Sequence, residues 1–333
     1  MNKTIVITSI FSPTEAVLKF SSLRGYRKIV VGDKKTPADW YCKDIDYISI
    51  EQQESMSFEL SGALPVNHYC RKMLGYLKAV SCGADIIIDT DDDNIPKNNW
   101  GFPGFEGSFQ AVPGDKGFVN IYQLFTDQKI WPRGLPLDLI TKSFELDGAL
   151  SASTCNVGIW QGLADEDPDV DAIYRLTNDE PCNFRQREPV VLQKGTICPF
   201  NTQNTAMRKE LFPLMYLPTY VTFRFTDILR GLVAQPIMWL YDYHLGFINA
   251  TVVQKRNPHD YMEDFISEIP MYKHCRDVVD LVFGAISSTE SIEGNLYNSY
   301  KSLLKENIVC GQEIRNLEIW LEDLQDISGS VSI

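Results

Sequence analysis

Apolar runs in this chain fall well short of the ~18 to 20 consecutive residues that a membrane span requires. The nearest candidate, Ile237 to Ile248, is broken by Asp242 and His244. No transmembrane segment is expected, and peripheral membrane association stays open. The amino terminus likewise lacks the long apolar region and small-residue cleavage site of a secretory signal, so the short run Ile5 to Ile10 reads as a first strand. Paired cysteines are missing too: the eight, at 42, 70, 82, 155, 182, 198, 275 and 310, contain no CxxC spacing, and no histidine stands where a zinc finger would need it. Free thiols in a reducing cytoplasm are the expectation. Basic charge is scarce, with 31 Lys and Arg against 44 Asp and Glu. Such a molecule repels polyanions, which argues against nucleic acid as its main partner. There is no internal repeat and no low-complexity tract.

What is present is an ordinary globular composition in a chain of 333 residues, long enough to bury a sizeable core. Residues 4 to 90 alternate between strand-like and helix-like patterns. Strands are expected at Ile5–Ile10, Lys28–Val31, Tyr47–Ile50 and Asp85–Ile88, with helices from Thr14 to Leu23 and from about Asn67 to Ser81. This alternation predicts an α/β fold with a mixed, mostly parallel, Rossmann-type sheet flanked by helices. Residues 100 to 117, rich in Gly, Pro and Phe, read as a long loop over a site, and Gly117 to Leu124 as a further strand. From about His274 amphipathic patterns dominate. The organisation read from this is a catalytic domain over 1–273, with a nucleotide-binding half of about 1–100 and an acceptor half of about 101–273, and a helical appendage over 274–333.

Ligands in such sheets bind beyond the carboxyl ends of the strands. Asp33 and the run Asp89-Thr90-Asp91-Asp92-Asp93 both follow strands and should face one crevice. Four carboxylates in five residues repel, by roughly 4 kcal/mol per pair ~4 Å apart at an effective dielectric near 20. A divalent cation removes that penalty, and oxygen ligands suit Mg2+ or Mn2+, which commonly share their shell with substrate phosphates. Read as extended chain, Asp89, Asp91 and Asp93 project to one side. Asp91 and Asp93 are therefore the expected metal ligands, with Asp91 also in reach of a ribose. A solvated acidic turn after a strand is the bland alternative.

Arg71 and Lys72, on the helix ahead of the acidic strand, could balance a pyrophosphate or simply form a cationic helix face. Asp33, with Lys34 and Lys35 beside it, could accept from a nucleobase N–H, or be a turn aspartate before Thr36-Pro37. Arg133 sits in the constrained loop Trp131-Pro-Arg-Gly-Leu-Pro136. Asp227 could be the general base for an acceptor hydroxyl, or pair with Arg230 three residues on. Gln254, Arg256 and His259 offer donors, or a metal ligand, in one late loop, although a lone histidine is more often structural or at the surface.

Together, Val31-Gly-Asp33-Lys-Lys-Thr-Pro37 with Trp40, Arg71-Lys72 with Gly75-Tyr76, Asp89-x-Asp91-Asp92, Trp131 to Leu137, Pro168-Asp-Val-Asp171 and Asp227-x-x-Arg230-Gly231 resemble the STELLO family of glycosyltransferases, in order from about 25 to 260. The resemblance implies a GT-A-like fold. More distantly the chain is similar to the reversibly glycosylated polypeptides, which are UDP-arabinopyranose mutases. That likeness places their aspartate triplet on Asp91 to Asp93, their glycosylated arginine on Arg133 and a late acidic residue near Asp227. Their second essential arginine falls on Ile140, a departure that counts against mutase activity. Plant STELLO proteins carry a membrane anchor before the catalytic region; none is read here, so the expectation departs from the resemblance at this point and is of a cytoplasmic glycan-building enzyme.

The resulting expectation is a hexosyl- or pentosyltransferase, dependent on Mn2+ or Mg2+, that moves a sugar from a nucleoside diphosphate sugar, UDP-linked by preference, to a glycan or lipid-linked acceptor. Asp227 and Arg133 would be catalytic, and Asp33, Lys34, Arg71, Lys72, Asp91, Arg256 and His259 would hold the donor. Two alternatives remain at this level: a nucleotide-sugar mutase acting through transient glycosylation of Arg133, and a non-catalytic scaffold for polysaccharide assembly.

Overall fold

The computed structural model describes residues 1–178, 180–256 and 260–330. Its first third is built from β1 (Lys3–Thr8), α1 (Glu15–Ser22), β2 (Tyr26–Val31), β3 (Asp46–Ile48), the short helices α2 (Ile50–Glu54) and α3 (Leu60–Ala63), α4 (Lys72–Ser81), β4 (Ile86–Thr90) and β5 (Asn94–Pro96). There follow β6 (Glu106–Val112), β7 (Gly117–Phe118), the long β8 (Ser151–Asp165), α5 (Ala172–Thr177), β9 (Val190–Leu192), β10 (Thr196–Ile197) and β11 (Asn204–Arg208). The chain then runs through α6 (Thr226–Leu240), β12 (His244–Gln254), α7 (Tyr261–Ala285), α8 (Ile292–Lys305) and α9 (Gly311–Ser330).

Among the described residues ten strands form one mixed sheet, ordered β3-β2-β1-β4-β11-β8-β6-β9-β12-β5, with β8 also paired to β12. β3, β2, β1 and β4 are mutually parallel, so their carboxyl ends share one edge. β11 joins β4 to β8 in antiparallel pairings.

Side chains alternate across a strand, and here the alternation sorts two helical layers. Val6, Ile29, Val31 and Ile87 share a buried core with Met73, Leu74, Tyr76 and Leu77 of α4. Ile5, Ile7, Val30, Ile86 and Ile88 share a second with Ala16, Val17 and Phe20 of α1. With both faces covered, these strands are near-continuous apolar runs. α1 starts where Thr14 accepts from the Val17 N–H, an N-cap of the usual kind. The helix expected from Asn67 begins at Lys72, after a 3-10 turn over Tyr69–Arg71 capped by His68.

Two expectations need correction. Residues 100 to 117 are not one long loop: β6 lies inside them, paired antiparallel to β8 along Glu106–Ala111. Its exposure alternates as a strand on the sheet's partly open side should, a period the Gly and Phe content obscures. Gly117 to Leu124 is not one strand either. β7 pairs with β10 for two residues, and Asn120 then accepts from the Tyr122 N–H and turns the chain into a 3-10 helix, Ile121–Leu124.

The helical run expected from His274 begins earlier, at Tyr261, where the Asp260 carboxylate accepts from the N–H groups of Met262 and Glu263. α7 packs on α6, and α8 packs on both. Trp320, Leu317 and Tyr300 share one buried core with Tyr216 and Leu232, so the C-terminal helices continue the main body.

α4 approaches the sheet closely because Gly75 has no side chain. A Cβ there would meet Val6 at 2.6 Å and Val31 at 2.7 Å. Gly75→Ala gains ~1 kcal/mol of helix propensity, but overpacking two β-branched strand residues costs ~1–3 kcal/mol. The variant should be less stable than the parent in urea titration, with an unchanged denaturant slope.

Candidate functional site

β4 ends the apolar lead-in, and its face pattern decides what each aspartate does. Asp89 falls on the same side as Ile87, beneath α4. There its carboxylate pairs with Lys72 Nζ at 2.6 Å and Arg230 Nη1 at 3.2 Å, and accepts from the Tyr76 hydroxyl at 2.5 Å. Lys72 and Tyr76 are one helical turn apart, which is why both reach it. The strand stops at Thr90, so Asp91, Asp92 and Asp93 leave in a turn and all three line a crevice of about 370 Å3. The expected alternation along one extended segment does not occur. Asp89 is a structural counter-ion, and Asp91 and Asp93 face the open space.

Lys72 is fully buried and does not line the crevice; it bridges Asp89 and Asp91, the latter at 2.9 Å. Burial opposes its charge, yet the two carboxylates outweigh burial and hold the ammonium above its ordinary pKa. Asp91 is pushed up to about 6 by burial and by Asp93 and Asp89, against the pull of Lys72. Asp93 is also pushed up to about 6, by burial first and then Asp92, against a hydrogen bond from Gln254. Burial raises Asp92, which accepts from Ser9 Oγ at 2.5 Å.

Among the described residues no three His, Cys, Asp or Glu side chains form a closed metal cage. Asp91 and Asp93 nevertheless fit Mg2+ or Mn2+: two hard oxygen donors lining one crevice, their pKa values raised chiefly by burial, with room for a ligand's phosphates.

On one side of the acidic turn the crevice is walled by the ends of β1 and β2. Asp33 lines it, its Oδ1 accepting from the backbone N–H groups of Lys34 and Asn67, both at 2.7 Å, and its Oδ2 from His68 at 2.9 Å. Lys34 is exposed and outside the crevice; Lys35 lines it instead. Arg71 also lines it, buried and anchored through Nε to Gln53 at 2.6 Å and through Nη1 to the Leu64 carbonyl at 3.0 Å.

The opposite wall is an ionic brace. Arg133 grips Asp169 through Nε and Nη2, both at 2.8 Å, and Asp227 through Nη1 and Nη2, both at 2.9 Å. Its Nη1 also donates to the Arg224 carbonyl. All five guanidinium N–H groups are thereby committed. Burial would raise Asp169, but Arg133 and Arg224 draw it down to about 2. Asp227 Oδ1 accepts additionally from the Ile228 N–H at 3.0 Å, and Oδ2 from Thr202 at 3.5 Å. Asp227 and Arg230 do not pair with each other: one turns to Arg133, the other to Asp89. Arg256 lines the crevice and donates to Asp264 at 3.0 Å, whereas His259 lies outside the described residues.

The structure thus brings Asp33, Arg71, Asp91, Asp93, Arg133, Asp227 and Arg256 to one crevice, and leaves Lys34 and Lys72 off its surface. Gln254, read with Arg256 in the late donor segment, lines it too, while sequence reasoning missed Ser9, Phe11, His68, Asn201, Thr202, Phe223 and Arg224. Ser9 and Phe11 follow β1, so the strand-end rule that singled out Asp33 could have found them. The others carry no local signal.

The molecule is a mixed α/β body whose parallel strand ends carry an acidic turn beside cationic side chains in one crevice. Residues 224–332 match the family model described as STELLO glycosyltransferases. "Probable glycosyltransferase STELLO1" from Arabidopsis thaliana is 25% identical over 97% of this chain and 44% of that protein. "Probable glycosyltransferase STELLO2" from the same plant is 29% identical over 75% of this chain and 35% of that protein. The chain spans less than half the length of these relatives. A solved structure described as "Crystal Structure of a Mycobacterial Protein" superposes with a TM-score of 0.41 at 13% identity, over 86% of this chain and 76% of that one, too remote to carry an argument. The chain is thus similar to these STELLO proteins, in one case over 97% of its length. None of its described helices is long and apolar enough to cross a membrane.

Asp91 and Asp93 titrate near 6 when folded, against the usual 3.8. Between those values the folded state holds protons that the unfolded chain has lost, so these carboxylates withdraw stability as pH rises from about 4 to above 6. Without divalent ions, Asp93→Asn should flatten that part of the melting-temperature profile and melt higher than the parent at pH 7. A parent-to-variant difference that does not change across the window would contradict this origin.

Proposed function

We propose that the chain is a metal-dependent glycosyltransferase, moving a sugar from a nucleoside diphosphate sugar, preferably UDP-linked, to a hydroxyl of a glycan or lipid-linked acceptor. The observation that carries this reading is the pair Asp91 and Asp93 at the crevice, each raised to about 6 by burial among like charges. They would hold Mn2+ or Mg2+, which when bound neutralises the leaving diphosphate. Arg71, which lines the crevice and is anchored through Nε and Nη1, and Arg256 supply fixed cations for the same diphosphate. The family relationship supports sugar transfer as the chemistry.

Asp227 and Arg133 take a different part from that read in the sequence. Every Arg133 N–H is committed to Asp169, Asp227 or the Arg224 carbonyl, and the guanidinium is held well above its ordinary pKa by those carboxylates against burial. A protonated, saturated guanidinium has no lone pair for attack on an anomeric carbon. Transient glycosylation of Arg133 is therefore disfavoured. Asp227 can take an acceptor proton only if the Arg133 fork releases one of its oxygens. In the arrangement present the two residues brace the acceptor wall, and base catalysis by Asp227 would accompany an opening of that pair.

Calorimetry with UDP should show binding in the presence of Mn2+ that drops at least tenfold when the metal is chelated. Asp93→Ala should remove the metal-dependent part while leaving the fold intact by circular dichroism. Failure of every common nucleoside diphosphate to bind with Mn2+ would overturn the reading.

A further inference from the structure

The two walls of the crevice differ in chemistry. Beside Asp227 the wall is a dense ionic network suited to sugar hydroxyls. Beside Asp33 it carries Ile10 and Phe11, which are 40% and 45% exposed, with Val31 behind them. An apolar slot with a few fixed polar groups suits a flat heterocycle, so a nucleotide whose diphosphate meets Asp91 and Asp93 places its base on the Asp33 side.

Two polar groups there have defined hydrogen-bonding roles. Asp33 Oδ2 accepts one backbone N–H, from His68 at 2.9 Å, and a carboxylate oxygen has a second lone pair to offer. His68 Nδ1 accepts from the Cys70 N–H at 3.2 Å, as the cap of the 3-10 turn. The bond made by one ring nitrogen sets the state of the other, so in the neutral ring of His68, which lines the crevice, Nε2 carries the proton. Burial lowers the imidazole pKa, partly offset by Asp33, which keeps the ring neutral at pH 7. The slot therefore offers one acceptor and, next to it, one donor.

We propose that Asp33 and His68 together select a base presenting an N–H beside a carbonyl, the edge shared by uracil and guanine, and reject the reversed edge of cytosine and adenine. Resting on the nucleotide-site reading above, it adds His68 as a specificity determinant. A cytosine in that position would aim its amino group at the His68 N–H and its ring nitrogen at the Asp33 carboxylate, leaving all four groups unpaired.

The test is calorimetry of the full chain with Mn2+ and each of UDP, GDP, CDP and ADP, with inorganic pyrophosphate as the base-free probe. UDP or GDP should bind ~10-fold or more tightly than CDP and ADP, the scale of discrimination for a matched donor–acceptor pair. His68→Asn, which retains a capping side chain, should erase that ratio while pyrophosphate binding stays unchanged. Nitrogen NMR of the parent should show His68 protonated at Nε2 and not at Nδ1, a readout that needs no variant. Equal Mn2+-dependent binding of all four nucleotides, the opposite tautomer, or a ratio that survives in folded His68→Asn overturns the proposal and leaves the nucleotide site standing. No binding by any of them overturns both.

Discussion

Lys72 sits fully buried between Asp89 and Asp91, with Arg230 on the far side of Asp89. Breaking such a buried pair by removing one partner typically costs ~3–5 kcal/mol, so the position of the acidic turn is bound to the stability of the core. The arrangement needs α4 pressed onto β1 and β2 at Gly75, since only then does Lys72 reach the end of β4. It also needs α6, which supplies Arg230. One lysine thus ties the first helix–sheet layer, the C-terminal half and the mouth of the crevice together. It pairs with Asp89 and with one oxygen of Asp91, while Asp93 has no share in it.

The opposite wall obeys the same logic with arginine. A guanidinium can hold two carboxylates at once through its planar fork, and Arg133 does so with Asp169 and Asp227. The C-terminal helices keep that wall in place. Glu268 of α7 accepts from Arg224 Nε at 2.9 Å and from the Ala172 N–H at 2.7 Å. Glu313 of α9 accepts from the N–H groups of Thr219 at 2.9 Å and Tyr220 at 2.7 Å, on the segment that leads to Phe223 and Arg224. The last three helices are in this sense part of the site's construction, although they sit behind its surface.

Much of this was legible in order along the chain. Apolar runs ending in Asp33 and Asp89, helix signals at Thr14 and the strand-end rule located one crevice with its acidic turn. β6 was hidden because Gly, Pro and Phe mask a period of two, and its pairing with β8 is non-local. The burial of Asp89 and Lys72 was within reach, since Asp89 shares a face with Ile87, but the expectation of extended chain through Asp93 concealed it. Lys34 and Lys35 could not be told apart, because turn geometry decides which of two adjacent lysines faces inward.

By itself the sequence determined the α/β alternation, the charge balance, the likeness to the STELLO proteins and the clustering of carboxylates at 91 to 93, because those are properties of composition, short-range period and order. Tertiary structure alone decided which charges are spent on one another. Lys72 is taken by Asp89 and Asp91, Arg133 by Asp169 and Asp227, and Arg230 by Asp89 rather than by its helical neighbour Asp227. Coulomb attraction depends on distance and burial, and neither is encoded in separation along the chain.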